Sequence, residues 1–416
     1  MTSFMLSLSL IILGITSLVS QVVLTRELMI SFYGNEFFIG WILFGWLLWV
    51  GIGSAFRRFF KKCSCSLSLL VICHLLIAFL IPLEITLIRV SKSFLTVTAG
   101  QIPDFIPSLI VSLFIIAPLC ILLGAQFTVA SVYFKKFQQH NEKDNLVGRA
   151  YFWEALGFVL GGLIFSFYLV ALNEFQISAI LILLNLIAVV GFLFFSKDLE
   201  RRKNLFIFIV GLFFLGFVCL WRSQQLNTLT AALRFPNEQL VETKNSIYGN
   251  LAVTRTGNQY NFYQSGLPSG ADKDDILNEH LVHFPMLSHV NPQKVLLVGT
   301  GFNGALREIL KYNPQQIFYA AIDPALVDLA GKYISPSLRQ GLEDRRVIII
   351  KGDLRHFLNE LPTDFDVVII NLPNPSTALI NRYFTDDFFK KMRLHLKSDG
   401  VLSTHLAFSA DTVSVP

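Results

Sequence analysis

Charge is what this 416-residue sequence has least of: Asp, Glu, Lys and Arg make up 15%, against 53% apolar residues, and mean hydropathy is +0.56. A soluble chain carries roughly 25% charged residues, so the shortage excludes a wholly water-soluble protein. Cysteine is scarce too. Cys63, Cys65, Cys73, Cys120 and Cys219 all lie in the apolar first half or at its edges, and the later half has none. The one-residue gap between Cys63 and Cys65 fits no common zinc spacing, so cysteine offers no case for a metal, a disulfide or thiol chemistry. The net charge of +5 is not gathered into a basic face or an aromatic-basic motif, and no nucleic-acid partner is expected. The opening run MTSFMLSLSLIILGITSLVS lacks a basic n-region and continues apolar to Leu24. That predicts a retained span rather than a cleaved signal peptide. Internal repeats and low-complexity tracts are missing as well.

What is present is a set of seven stretches long and apolar enough to cross a bilayer, for which about 20 residues are needed. They lie near 4–24, 36–55, 66–88, 107–132, 150–171, 176–196 and 204–221. Their connections differ in charge. The second, fourth and sixth carry Arg57, Arg58, Lys61 and Lys62; Lys135, Lys136, Lys143 and Arg149; and Lys197, Arg201, Arg202 and Lys203. The first, third and fifth carry only Arg26, Arg89 and Lys92. Basic loops favour the cytoplasm, so the bias predicts a cytoplasmic N-terminus. An odd number of spans then puts everything beyond Trp221 outside the cytoplasm. Residues 1–221 are expected as a seven-span membrane domain, and the polar segment 222–238 as a linker.

Gln21, Glu84, Gln126 and Glu154 interrupt the apolar runs. An ionisable group left in lipid costs about 2.5–3.5 kcal/mol or more, so each requires a reason. Glu84 is expected near an interface. Glu154 shares a helical face with Gly157 and Gly161, with Gly162 beside them. The pattern predicts close helix packing through small residues with Glu154 hydrogen-bonded across it; it also admits a proton or solute path.

Beyond the linker the pattern changes. QLVETKNS, GNLAVTRT and QYNFYQ predict the strands of a small β-meander, and the acidic SGADKDDILNEHLVHFPM predicts a helix, so that 239–290 form one small unit. In VLLVGTGFNG, Val295 to Val298 run straight into Gly299, Gly301 and Gly304, and ALREILKY continues with helical spacing. Strand, glycine turn and helix set backbone N–H groups against a polar or anionic ligand, which the glycines allow to approach. IFYAAI, VIIIKG and DVVIINL predict further strands, with helices from Pro324 and after Asp353. The alternation predicts a parallel sheet with right-handed crossovers, a Rossmann-like nucleoside-binding fold over 291–416. Asp323 before Pro324 reads as a helix N-cap with proline at the first helical position, and Asp353 as another cap. After GVLSTHLAFSA the chain stops at Pro416, where such a sheet would add a helix and two strands. The domain is therefore expected to be C-terminally incomplete, or its sheet completed differently.

The order and wording of NEHLVHFP, PQKVLLVGTGFNGALREIL, AIDPALVDLA, DRRVIIIKGDLRHFL, DVVIINLPNPS and YFTDDFFKKMRLHLKSDGVL resemble spermidine synthase, the aminopropyltransferase branch of the methyltransferase-like fold, over residues 239 to 408. GITSLVSQVVLTREL, WVGIGS and GRAYFWEALGFVLGGLIF resemble the multi-span, transporter-like region of bacterial proteins in which such a segment is fused to this domain. The resemblance implies a bacterial inner-membrane location and, where the site still binds, an S-adenosyl-type nucleoside as cofactor.

Several charged positions of that family are replaced. Its glycine turn reads G-G-G-D-G-G, and the aspartate that helps hold the amine-bearing tail is here Phe302, followed by Asn303. The acid on the second strand that binds the ribose hydroxyls is Ala321, and the catalytic segment D-x-x-D-P is Asn371-Leu372-Pro373-Asn374-Pro375. A tyrosine-histidine pair is Leu277 and Asn278, with Glu279 and His283 kept, and the glutamine after Tyr248 is Gly249. Retained are Gly299, Gly301, Gly304, Arg307, Glu308, Asp323, Gly352 and Asp353, the last contacting the adenine edge in the family. An amine attacking a carbon next to a sulfonium must lose a proton, and an amide neither accepts it nor supplies negative charge. The resemblance thus implies that the catalytic positions Asn371 and Asn374 lack catalytic groups, while Gly299, Gly301, Gly304, Asp323 and Asp353 remain for ligand binding. Three functions are open: a membrane-anchored non-catalytic binding or assembly module, an active polyamine aminopropyltransferase, or a transporter-like membrane protein with an accessory soluble domain. Expected partners are the lipid bilayer, a small-molecule nucleoside or polyamine, and a membrane protein.

Overall fold

The computed structural model describes residues 2–32, 36–55, 67–94, 104–137, 146–195 and 202–406. It divides into two compact units, Met1–Pro236 and Asn237–Pro416. The first is helical: α1 (Thr2–Phe32), α2 (Glu36–Ala55), α3 (Leu67–Phe94), α4 (Phe105–Ile115), α5 (Ala117–Phe137), α6 (Leu146–Phe167), α7 (Glu174–Phe195), α8 (Arg202–Trp221) and α9 (Ser223–Ala232). Among the described residues, six helices could cross a membrane by length and composition, or seven if α8 and α9, which meet at 81°, form one broken span. Of the basic residues expected in connections, Arg57, Arg58, Lys61, Lys62, Lys143, Lys197 and Arg201 lie outside the described residues, as do Cys63 and Cys65. Lys135 and Lys136 fall instead in α5, Arg149 in α6, and Arg202 and Lys203 at the start of α8.

Inside this unit isolated polar residues find one another across the apolar core. His74 of α3 lies 2.8 Å from Ser9 Oγ of α1 through Nε2 and 2.7 Å from Asn185 Oδ1 of α7 through Nδ1. Asn185 in turn donates to Thr16 Oγ1 at 3.0 Å. The glycine face predicted around Gly157 is a helix contact: a Cβ there would lie 2.3 Å from the Ile11 carbonyl oxygen of α1, and one on Gly161 would lie 3.1 Å from Ile15 Cα. Gly14 of α1 answers them, its added Cβ falling 2.2 Å from the backbone oxygen of Glu154. The bond expected from the Glu154 carboxyl across this contact is not among those of the described residues; backbone proximity makes the contact instead.

Glu84 is fully buried, its Oε1 accepting the Leu119 N–H at 2.9 Å where the chain breaks between α4 and α5. Two expectations for this unit are corrected. Arg89 and Lys92 belong not to a loop but to α3, where each is 1% exposed. The segment read as a linker is mostly the helix α9, whose Ser223, Asn227 and Ala231 recur every four residues on one buried face.

The second unit opens with an antiparallel meander, β1 (Gln239–Ser246), β2 (Gly249–Thr256), β3 (Gln259–Gln264) and β4 (Leu267–Ala271). The fourth strand, LPSGA, has the proline and glycine of a turn and no strand pattern, so the sequence hides it; helix α10 (Asp275–Leu287) starts only after it. Then come β5 (Lys294–Gly299), α11 (Ala305–Leu310), β6 (Gln316–Ala321), α12 (Pro324–Ala330), α13 (Pro336–Glu343), β7 (Val347–Lys351), α14 (Leu354–Phe357), β8 (Phe365–Asn371), α15 (Ala378–Asn381), α16 (Asp386–His395) and β9 (Leu396–Thr404). The five strands form a parallel sheet in the order β7-β6-β5-β8-β9. Apolar residues fill β5 and β8 because helices cover both faces. The chain moves outward from β5 to β6 on one side and returns to β8 on the other, so the carboxyl ends of β5 and β8 flank the topological switch point, where α/β sheets bind ligands. Gly299 and Asn371 pair across it. The expected shortfall after β9 falls beyond residue 406, outside the described residues.

Candidate functional site

At the switch point Gly299 has φ 103°, and a Cβ there would lie 2.1 Å from the Asn371 carbonyl oxygen. A Cβ on Gly301 would meet the Tyr319 ring at 2.8 Å, and the Gly301 N–H donates to the Tyr319 hydroxyl at 3.1 Å. Gly304, with φ 126°, begins α11 beside Asn278. Protein atoms therefore occupy much of the room these three glycines create.

Asn371 closes the crevice from the other strand. Its backbone oxygen accepts the Thr300 N–H at 2.9 Å, and its side-chain Nδ2 donates to the Thr300 carbonyl oxygen at 2.5 Å. Thr300 is tied further through its hydroxyl to the Ser269 carbonyl at 2.8 Å. Asn371 is thus a reciprocal clamp on the glycine turn, and it uses a donor that an aspartate lacks. Asn374 does not join it: it is exposed, its carbonyl accepting the Ser376 N–H at 2.7 Å.

The other replaced positions are also absorbed by the protein. Phe302 is 2% exposed and packs edge-to-face on Phe262 of the meander, ring centroids 5.0 Å apart, among Leu251, Val253, Leu326 and Leu338. Ala321 is buried at the end of β6. Asn278 and Asn303 are buried beside the turn, where Asn278 Nδ2 donates to the Asn303 carbonyl at 3.0 Å and each keeps an Oδ1 without a hydrogen-bond partner among the described residues. Glu279 is exposed on α10, whereas His283 contacts Tyr312 and Glu308.

Both retained aspartates are engaged. Asp323 caps α12 through the Ala325 N–H at 3.0 Å, and its other oxygen accepts from Ser246 at 2.6 Å and Gln264 at 3.2 Å. Asp353 caps α14 through the Arg355 N–H at 3.1 Å, accepts the Tyr383 hydroxyl at 2.6 Å and is bonded by Arg382. Burial alone would raise the Asp353 carboxyl; the bonds from Tyr383 and Arg355 and the charge of Arg382 outweigh it and hold the group below the usual carboxylate range. Burial and the neighbouring Asp353 push the Tyr383 hydroxyl up. Arg382 and Tyr383 were missed in the sequence, although the second opens the motif YFTDDFF. Among the described residues no cluster of His, Cys, Asp and Glu could hold a metal.

Residues 274–407 match the family model described as the spermine/spermidine synthase domain. The C-terminal part of the chain carries a spermidine synthase domain. The polyamine aminopropyltransferase of Thermoanaerobacter sp. is 38% identical over 139 residues, 33% of this chain and 50% of that protein. That of Leptospira interrogans is 27% identical over 322 residues, 75% of this chain and 62% of the relative; an alignment that long exceeds the synthase unit and reaches into the helical one. The chain spans about half the length of the first curated relatives it matches. A solved spermidine synthase in complex with the transition-state analogue AdoDATO is 27% identical, with a TM-score of 0.38, over 40% of this chain and 57% of that one.

Proposed function

We propose that the synthase domain is a non-catalytic binding or assembly module, held at a membrane by the helical unit. The observation that carries this reading is the bond from Asn371 Nδ2 to the Thr300 carbonyl: the position from which the family's reaction would be driven is spent on holding the glycine turn. The two retained acids point the same way, since Asp323 and Asp353 already accept hydrogen bonds from their own chain. An amine beside a sulfonium needs uncommitted negative charge, whereas a neutral adenosyl nucleoside does not. The ligand class that fits is an adenosyl thioether without a cationic tail, and a membrane protein is the alternative partner. Full-length protein in detergent, given putrescine and the decarboxylated adenosyl donor, is expected to form no spermidine above an empty-vector control. Calorimetric titration with an adenosyl thioether then separates a binding module from an empty fold. Product well above the control would restore the aminopropyltransferase reading.

The proposed placement is extracytoplasmic, in a bacterial inner membrane. Glu27 at the end of α1, Arg89 near the end of α3, Glu174 at the start of α7 and Arg234 after α9 contact one another. The chain therefore returns to one end of the bundle after an odd number of passes, which supports seven. With the basic connections on the cytoplasmic side, a reporter fused after Arg234 should behave as extracytoplasmic. Strong cytoplasmic-reporter activity there, with none from a fusion at Lys143, would reverse the placement and reopen access to cytosolic adenosyl donors.

A further inference from the structure

In the helical unit Arg89 grips Glu27 with two parallel bonds, Nε to Oε2 at 2.7 Å and Nη2 to Oε1 at 2.9 Å, and Nη2 also reaches Glu174 Oε2 at 3.1 Å. Its Nη1 donates to Thr230 Oγ1 at 2.6 Å and to the Asn227 carbonyl at 3.3 Å. Arg234 bonds Glu27 through Nη2. The four charged residues are each at most 3% exposed. Glu27, Arg89 and Glu174 sit on α1, α3 and α7, while Asn227, Thr230 and Arg234 belong to the segment that turns off α8 at 81°.

We propose that this cluster is an electrostatic clasp that holds the segment 222–236 as a strap on the bundle, and that the strap is the side that opens. Charge gives the first argument. Glu27 is fully buried and is bonded by Arg234 as well as by Arg89, and Arg234 is buried too; a buried charge stripped of its partner is strongly unfavourable, so docking of the strap is coupled to the Glu27–Arg234 ion pair. Lys92, buried one turn beyond Arg89, is itself partnered. Hydrogen bonding gives the second. Arg89 uses Nε, Nη1 and Nη2 and Glu27 both its oxygens, whereas the buried atoms of the joint without a partner among the described residues, Asn227 Oδ1 and Arg234 Nε, are both on the strap. The bundle side is saturated and the strap side is not. The second unit starts at Asn237, so the clasp fixes where the chain leaves the bundle.

Limited proteolysis of the full-length protein in detergent, with a broad-specificity protease and cleavage sites mapped by mass spectrometry, tests this. Where cleavage follows the population of the open form, Arg234→Met and Glu27→Gln should each raise cutting within 222–236 by about tenfold or more. The double variant Glu27→Gln/Arg234→Met removes one charge of each sign, and its cutting should return to within about threefold of the parent. If Arg234→Met does not accumulate, the double variant should restore the amount of folded protein. A parental cleavage rate for Arg234→Met, or a double variant as labile or as scarce as that single one, would overturn the clasp.

Discussion

Aspartate in place of Asn371 is expected to destabilise the synthase domain by about 2–4 kcal/mol at neutral pH and to produce no aminopropyl transfer. The amide nitrogen lies 2.5 Å from the Thr300 carbonyl oxygen, and the side chain is buried. An ionised carboxylate placed there removes a donor, leaves that oxygen unsatisfied and sets a negative charge against it. A protonated carboxyl can still donate, so the folded state favours the protonated form and raises the variant's pKa above its unfolded value of about 3.9. Linkage gives the sign: for a raised folded-state pKa the stabilising bond is fully present below the unfolded pKa and is lost as pH rises through the folded one. Asn371→Asp should thus come nearest the parent at about pH 4 and fall furthest behind above about pH 7. Thermal unfolding of the full chain across that range, with hydrogen exchange at the Thr300 amide, measures it. A variant as stable as the parent at pH 8, or one that forms spermidine, would show that the amide is not the clamp described.

The difference between what the sequence carries and what it conceals follows from the range of the interactions involved. The strand and turn at 294–304 are legible because four apolar residues run directly into glycines, and the cap at Asp323 because proline follows it. Both are local features. Asn371 and Phe302 read as losses, since a motif compared position by position records only a missing acid. Their gains lie far away in sequence: the Thr300 carbonyl for one, Phe262 for the other. The segment after Trp221 misleads for a related reason. Polarity suggests solvent, yet Asn227, Thr230 and Arg234 are polar because they meet Glu27 and Arg89. Arg89 misleads in turn, a charge near the end of an apolar run being the ordinary mark of a loop. Glu27 drew no notice for the same reason. Buried charges are recognisable only as sets, and the members of this set are separated by up to 207 residues.

Leucine at position 157 is expected to leave little folded protein in the membrane. A Cβ on Gly157 would lie 2.3 Å from the Ile11 carbonyl oxygen and 3.0 Å from Gly14 Cα, and these are backbone atoms of α1 that no rotamer change can withdraw. The two helices would have to separate along the Gly14–Gly157–Gly161 face, breaking the rest of their contact. Overpacking that side chains can absorb costs about 1–3 kcal/mol, so at least about 3 kcal/mol is expected here, a large part of a typical stability of about 5–15 kcal/mol. Gly161→Leu should be milder, because its nearest backbone neighbour, Ile15 Cα, is 3.1 Å away. Leu163→Ala, on a residue 52% exposed on the opposite face, should stay within about 0.5 kcal/mol of the parent. Size-exclusion chromatography of fluorescently tagged, detergent-extracted protein should rank folded yield as parent and Leu163→Ala first, Gly161→Leu next and Gly157→Leu last. Equal yields from Gly157→Leu and Leu163→Ala would mean that α1 and α6 do not pack through these glycines, and Glu154, whose carbonyl lies in that contact, would then be free to face a solute path instead.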